Sequence, residues 1–173
     1  MDELEPWDES PDIINLVTEN TKGSKNSYKW DPKGKVFKLD KVLYSSTTYP
    51  TDYGFLPRSQ NDDGEPLRSF ILTDQPTFTG CVVRARPLGV LKMLVNGQYN
   101  DKLISVQAED EAYHQASELD DLPEKIKKEI AHFFIQTQEI ACNDVKIVAW
   151  KGPAVAKNSI EHAVKLYGRK RSV

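Results

Sequence analysis

The spacing of apolar residues changes near residue 120, from a period typical of strands to one typical of helices. From residue 27 to about residue 104, apolar residues alternate with polar ones or form short β-branched runs, a pattern typical of β-strands. The clearest runs are "KVFKLDKVLY" from Lys35, "SFILT" from Ser69 and "CVVRARPLGVLKM" from Cys81. This part of the chain is therefore predicted to be built from strands.

Turn residues divide this region into short pieces. Asn96-Gly97 is a hairpin signal, which predicts pairing between Leu94-Val95 and the run from Leu103 to Val106. Prolines interrupt the strand pattern at Pro50, Pro57, Pro66, Pro76 and Pro87. Many short strands with closely spaced turns predict a barrel or a sandwich.

The last third of the chain has the period of amphipathic helices. In "DDLPEKIKKEIAHFFIQTQEI", Asp121 is expected to cap a helix whose apolar face comprises Ile126, Ile130, Phe133 and Phe134. A strand from Val145 to Trp150 follows, and then a second helix, "PAVAKNSIEHAVKLYG", for which Gly168 is the expected C-cap. The combination predicts an α+β fold, a mostly antiparallel barrel with helices packed outside it.

Length and charge narrow the classes of function. The 173 residues favour one domain, with a short acidic N-terminal tail (about 1–12) and a basic C-terminal tail (about 168–173) that are expected to be solvated. A net charge of −3 does not favour nucleic acid or an anionic membrane as a partner. No apolar stretch reaches the ~18 residues of a membrane span, and no secretory signal is recognised.

The cysteines and histidines give no sign of a metal site. Cys81 and Cys142 are isolated in sequence, so they are predicted to be buried thiols in a reducing compartment, which favours the cytoplasm. The histidines lack the spacing of metal ligands and are interpreted as structural or surface residues: His114, His132 and His162.

Two segments carry candidate chemistry. "NDDGEPLRSF" places Asp62, Asp63 and Glu65 on a Gly-Pro turn, and carboxylates are the ligands that Mg²⁺ prefers. The same residues also form good turns without any ligand. "YPTDYGFLP", from Tyr49, has tyrosine hydroxyls that either meet a polar ligand or cap a packed loop. The residues alone leave both alternatives open for each segment.

These segments resemble the soluble (family I) inorganic pyrophosphatases, collinearly from about Ile14 to Val164. The similarity includes "GSKNSYKWD", "LDKVLYSSTTYPTDYGF", "DDGEPL", "DQPTFTGCVVRARPLGVLKM", "DKLISV" and "LPEKIKKEIAHFF". The resemblance implies a five-stranded OB-like barrel flanked by two main C-terminal helices, and hexamers in bacteria. It also implies diphosphate hydrolysis with several Mg²⁺ ions held by aspartates, while Lys, Arg and Tyr side chains bind the phosphates.

Several metal positions of that family are occupied by other residues in this chain. In the family signature D-G-D-P-x-D, the first aspartate is Asp63, the second, linked to activation of water, is Glu65, and the third is Arg68. The ungapped alignment puts Val95 and Asn100 at two further metal aspartates. Glu19 is retained, and Asp101 is adjacent to the altered loop. The resemblance therefore leaves as candidate metal ligands Glu19, Asp63, Glu65 and Asp101.

The phosphate-binding positions are altered as well. Where the family has Lys-Tyr-Glu, this chain has Ser27, Tyr28 and Lys29, and Lys41 replaces an arginine. A Tyr-Lys pair of the family's long helix corresponds to Thr137 and Gln138. Tyr49, Tyr53 and Lys102 are retained. The candidate anion-binding residues are thus Lys29, Lys41, Tyr53, Arg68 and Lys102.

Three hypotheses follow, and they leave open whether the protein is an enzyme. The first is a pseudoenzyme that keeps the scaffold to bind a phosphate-containing or other anionic ligand, or a protein partner, with little or no hydrolysis. The second is a weak or altered Mg²⁺-dependent diphosphatase. The third is a structural or interaction subunit with a vestigial pocket. A homo-oligomer is expected under each.

Overall fold

The computed structural model describes residues 3–44 and 46–171, with side chains described as far as Arg169. The strands are β1 (Ile14–Asn20), β2 (Asn26–Asp31), β3 (Val36–Val42), β4 (Asp52–Phe55), β5 (Arg68–Leu72), β6 (Val82–Val95), β7 (Gln98–Tyr99), β8 (Lys102–Gln107) and β9 (Val145–Lys151). The helices are α1 (Glu124–Ile140) and α2 (Pro153–Arg171). Two short 3₁₀ turns, Glu111–Tyr113 and Leu119–Asp121, precede α1.

Five strands close into a barrel in the order β1-β4-β5-β8-β6, because β6 also pairs with β1. This confirms the predicted α+β fold with an OB-like barrel and two flanking helices. One pairing, β5 with β8, is parallel, while the other pairings are antiparallel. The long strand β6 also carries β7 and β9 along its length. The Asn96-Gly97 hairpin is therefore present, but its returning strand is the short β7, and β8 pairs farther along β6.

Gly54 explains how closely two barrel strands approach each other. It lies on β4 opposite Thr18 of β1. A Cβ atom at this position would stand 2.1 Å from the carbonyl oxygen of Val17, closer than atoms can approach without a backbone shift. The "YGF" run therefore needs glycine for close packing of β1 on β4.

Helix α1 buries the face that its sequence predicts, and α2 also buries one of its faces. Ile130, Phe133 and Phe134 of α1 pack in one core cluster with strand residues of the barrel. Ala156, Ile160 and Ala163 of α2 pack in a second cluster. These contacts hold the two helices against the sheet, and they place the middle of α1 beside one end of the barrel.

Several local predictions were wrong. Asp121 does not cap α1; it accepts hydrogen bonds from the amides of Ser117 and Glu118 and closes the preceding 3₁₀ turn. Gly168 lies within α2, which continues to Arg171. Cys81 is only partly buried and Cys142 is exposed, so neither is the buried thiol that was expected.

The acidic N-terminal segment packs more closely than a solvated tail. The amide of Asn15 donates to the carbonyl of Pro6, and Trp7 forms a bridge with Ile14. Trp7 also packs against the second core cluster. Of the basic C-terminal segment, residues 172 and 173 lie outside the described part. In the described part of the chain, no helix is long and apolar enough to cross a membrane.

Candidate active site

A cavity of about 330 Å³ opens where the parallel strands β5 and β8 begin. Arg68 and Lys102 are register partners at these two starts, so the fold places two cations side by side. The β2–β3 hairpin and α1 form the other walls. The sequence-predicted residues that line this cavity are Glu19, Ser27, Lys29, Lys41, Tyr49, Tyr53, Glu65, Arg68, Asn100, Lys102, Thr137 and Gln138.

Arg68 is the centre of this arrangement because it joins two carboxylates. Its Nε donates to Oε2 of Glu19 over 3.0 Å, and its Nη1 donates to Oε2 of Glu65 over 3.0 Å. The Glu19 side chain is 2% exposed, whereas that of Glu65 is 54% exposed. The same guanidinium thus has one deeply buried partner and one partner that water can reach.

The electrostatics agree with this geometry. Burial lowers the pKa of Arg68, but the neighbouring charges and hydrogen bonds, with the charge of Glu19 the largest of them, together outweigh it, and the pKa of Arg68 is raised. Burial would likewise raise the pKa of Glu65, but the hydrogen bond and charge of Arg68 lower it. The cluster is therefore stable as a charged carboxylate–guanidinium–carboxylate group.

Lys102 lies beside this group and is the most perturbed base in the pocket. Burial, followed by the neighbouring charge of Arg68, lowers its pKa to about 7. Its ammonium donates a hydrogen bond to Oδ1 of Asn100 and lies 5.6 Å from the centroid of the Phe134 ring. An amide at position 100 can accept this hydrogen bond but adds no charge to offset Arg68.

The two tyrosines form a packed wall of the pocket. Tyr49 and Tyr53 stack with ring centroids 5.9 Å apart, and Tyr49 also packs on Phe133 at 4.8 Å. Burial raises the pKa of both phenols, so they are neutral donors at physiological pH. The Tyr49 hydroxyl donates to Oγ of Ser27 over 3.0 Å, which leaves Tyr49 held by a residue that stands at a family lysine position.

Thr137 and Gln138, which the resemblance aligns with a phosphate-binding Tyr-Lys pair, are both bonded to nearby residues of the chain. The Thr137 hydroxyl donates to the carbonyl oxygens of Phe133 and Phe134, one turn earlier in α1. The Gln138 side chain accepts a hydrogen bond from Asn143 over 2.8 Å. Neither residue supplies a cation to the pocket.

The carboxylates that the resemblance implies as metal ligands are engaged in contacts with other groups of the protein. The carboxylates of Glu19 and Glu65 are already bonded to Arg68, while Asp63 accepts from the amide of Glu65 within the turn. Asp101 pairs with Lys92, outside the residues that line the cavity. Within residues 3–44 and 46–171, no group of three His, Cys, Asp or Glu side chains is arranged to hold a metal.

Sequence reasoning missed one residue that shapes the site. The backbone amide of Trp30 donates to Oε1 of Glu19 over 3.1 Å, and the indole packs against Phe37 with ring centroids 5.1 Å apart. The only available signal was the position of Trp30 next to Lys29 in the "SYKWD" segment. Its contact with Glu19 depends on how β2 lies across β1, which is a tertiary relationship.

Comparisons with known proteins agree on one family. The family described as "Inorganic pyrophosphatase" matches residues 16–168. The inorganic pyrophosphatase of Haloferax volcanii is 38% identical over 96% of this chain and 94% of its own length, and that of Synechocystis is 41% identical over 90% and 92%. The crystal structure of the Thermus thermophilus inorganic pyrophosphatase has a TM-score of 0.92 at 33% identity and covers 96% of this chain and 98% of its own.

Proposed function

Because this chain belongs to the inorganic pyrophosphatase family, we propose that its pocket binds a phosphate-bearing anion through Arg68 and hydrolyses diphosphate slowly or not at all. The observation that carries this proposal is the ion-pair group formed by Glu19, Arg68 and Glu65. A guanidinium stands among the carboxylates, at the position where the family resemblance implies a metal-binding aspartate.

An arginine can supply the positive charge of a metal ion, but it cannot activate water as a metal ion does. Its fixed positive charge compensates a buried carboxylate and binds phosphate oxygens with directed hydrogen bonds. It does not lower the pKa of a bound water, which is how a metal supplies hydroxide at neutral pH. A pocket built around Arg68 is therefore suited to hold an anion and poorly suited to attack it.

The unequal exposure of the two carboxylates indicates how an anion enters. Glu19 is buried and also bonded to the Trp30 amide, so it remains fixed to Arg68. Glu65 lies on an exposed turn, and water already competes for its pair with Arg68. A phosphate oxygen can displace Glu65 from the guanidinium, while the exposed Lys29 and Lys41 at the mouth add positive charge.

A second candidate, weak Mg²⁺-dependent diphosphate hydrolysis, is favoured by the comparisons themselves. The relatives that match nearly the full chain are named inorganic pyrophosphatases. For this activity an ion bound by Asp63, Glu65 and Glu19 would compete with the hydrogen bonds that these carboxylates accept now. Diphosphate hydrolysis by this chain would therefore need Mg²⁺, the cofactor that the family implies, whereas binding of an anion through Arg68 would not.

Phosphate release from diphosphate, with Mg²⁺ or Mn²⁺ titrated, tests the proposal. Turnover within the ordinary enzyme range of ~1–10³ s⁻¹ would overturn it. Glu65→Gln distinguishes the two candidates, since removing the competing carboxylate should tighten diphosphate binding, whereas a hydrolase should lose turnover. If diphosphate neither binds nor reacts, the pocket is vestigial and the structural-subunit hypothesis remains.

Four further properties stay predictions from the sequence. These are the cytoplasmic location, a single domain, a protein partner and a homo-oligomer that is hexameric if the bacterial pattern holds. Sedimentation equilibrium of the purified chain measures the oligomer directly, and a monomer at micromolar concentration would exclude the hexamer.

A further inference from the structure

A second cavity of about 490 Å³ adjoins the anion pocket. It lies between the β2–β3 hairpin, the chain that follows β4, and the end of α2. Its apolar and aromatic lining residues include Trp30, Pro32, Phe55, Leu56, Pro66 and Tyr167. We call this cavity the Trp30 groove. These side chains are suited to a flat apolar group, while Arg58, Ser59 and Gln60 add polar groups to the lining.

The Trp30 groove and the anion pocket share a wall. Lys29, Arg68, Glu19 and Glu65 line both cavities. Arg68 pairs with both carboxylates but offsets only one of their negative charges, and Lys29 offsets the other, so the wall is close to neutral and presents the Lys29 ammonium and the remaining donors of the guanidinium at the junction. A ligand that fills both cavities would place its anionic end at this junction and its flat end against Trp30.

We propose that the ligand of this site is a nucleoside diphosphate, with its phosphates on Arg68 and the neighbouring lysines and its base in the Trp30 groove. This inference rests on the proposed function, because it assigns the class of anion that the pocket takes. A nucleoside diphosphate combines the two chemistries that the adjoining cavities present, a multiply charged phosphate chain and a planar aromatic base.

Trp30 is held in place before any ligand arrives. Its indole packs against Phe37, and its backbone amide is bonded to Glu19. A rigid aromatic side chain loses little conformational freedom on binding, and base–aromatic stacking tolerates any base because every base has a flat π-face. The groove is therefore expected to select for a nucleoside without selecting strongly among bases.

Isothermal calorimetry of the full chain in chelator tests the inference with ADP, adenosine and inorganic diphosphate as probes. ADP should bind at least about tenfold more tightly than diphosphate, the lower part of the range expected for one stacked base. Trp30→Ala should bring the ratio of ADP to diphosphate affinity close to one. Tyr99→Ala, which removes an exposed aromatic outside both cavities, should leave that ratio unchanged.

The outcomes separate this inference from the proposed function. If diphosphate binds as tightly as ADP to the wild-type chain, the nucleoside assignment is wrong and the anion site stands. If neither ADP nor diphosphate binds, both the nucleoside assignment and the proposed anion site are wrong. Saturation-transfer NMR on the wild-type chain covers the case in which Trp30→Ala does not fold: the base protons of ADP should receive saturation from the protein, and their failure to do so would overturn the inference.

Discussion

Asp52 and Glu19 are both buried acids of the barrel, but their charges are compensated in opposite ways. Asp52 accepts three hydrogen bonds from neutral groups: the amides of Lys22 and Thr77 at 2.8 Å each, and the Thr77 hydroxyl at 2.7 Å. Glu19 accepts one from the Trp30 amide and one from the guanidinium of Arg68. Asp52 is fully buried and Glu19 is 1% exposed, so burial does not distinguish them.

These contacts indicate which of the two acids can belong to a ligand site. The loops that Asp52 ties together supply all of its donors, so it needs nothing from outside and acts as a fold-holding group. Glu19 accepts from only one neutral donor in these contacts, the Trp30 amide, so the positive charge of a partner has to offset the rest of the cost of its burial. In this chain the positive charge is Arg68, which belongs to the protein and does not depend on a bound metal.

The largest expected effect is that of removing Arg68. Arg68→Met leaves Glu19 buried without a counter-charge, and breaking a buried pair in this way costs about 3–5 kcal/mol of unfolding free energy. Urea unfolding measures this loss. The double variant Glu19→Gln/Arg68→Met should recover most of it. A loss below about 1 kcal/mol for the single variant would show that the pair behaves like a surface pair.

A smaller loss of unfolding free energy is expected when Asp52 is replaced. Asp52→Asn keeps the shape but turns an amide NH₂ toward at least one backbone donor, which leaves a buried hydrogen-bond group unsatisfied at about 1–3 kcal/mol. The same urea experiment applies. Because the donors are neutral, added Mg²⁺ or diphosphate should not change this loss. An anion-dependent loss at Asp52 would contradict its assignment as a structural acid.

The unfolding free energy should depend on pH because of Lys102. Its pKa of about 7 in the folded chain lies below the ordinary value of 10.5, so between these pH values the unfolded chain binds the extra proton. Stability should therefore rise with pH through this window, by up to about 1.4 kcal/mol per pH unit from this group. Lys102→Met should remove that slope, whereas Lys125→Met, at an exposed site, should keep it. Equal slopes in wild type and Lys102→Met would contradict the burial of this ammonium.

The smallest expected effect on stability is at Glu65. Its side chain is more than half exposed, so Glu65→Gln should change the unfolding free energy by less than about 1 kcal/mol. Asp63→Asn, on the same turn, is the matched control. A loss from Glu65→Gln as large as that from Arg68→Met would mean that Glu65 is not the exchangeable partner of the guanidinium.

The sequence predicted the elements whose apolar residues repeat at a regular period. The inward face of α1 at Phe133 and Phe134 and the strand-rich first part are both correct for this reason. Strand β1 was missed because all seven of its residues are buried, and a strand buried on both faces has no alternation to detect. The predicted cap at Asp121 was wrong for a different reason, because the side chain of Asp121 bonds to the nearby Ser117 instead of to the first turn of α1.

The candidate site was located from the sequence, but its internal contacts were not. The family motifs placed Arg68, Glu65 and Lys102 in one pocket, and the structure brings them together. The bond from Arg68 to Glu19 spans 49 residues and depends on how β1 and β5 sit around the barrel. Asp101 lies just before β8 and pairs with Lys92 of β6 instead, a contact that depends on how β6 and β8 lie beside each other.

Calorimetric titration of diphosphate with and without Mg²⁺ tests whether Arg68 takes the place of a metal in binding an anion. The full chain is titrated in a chelator and again in excess Mg²⁺, with phosphate release followed in parallel. We predict saturable binding in the chelator that Mg²⁺ does not strengthen, together with turnover well below the range of ~1–10³ s⁻¹. Binding that requires Mg²⁺ and leads to rapid phosphate release would contradict the claim.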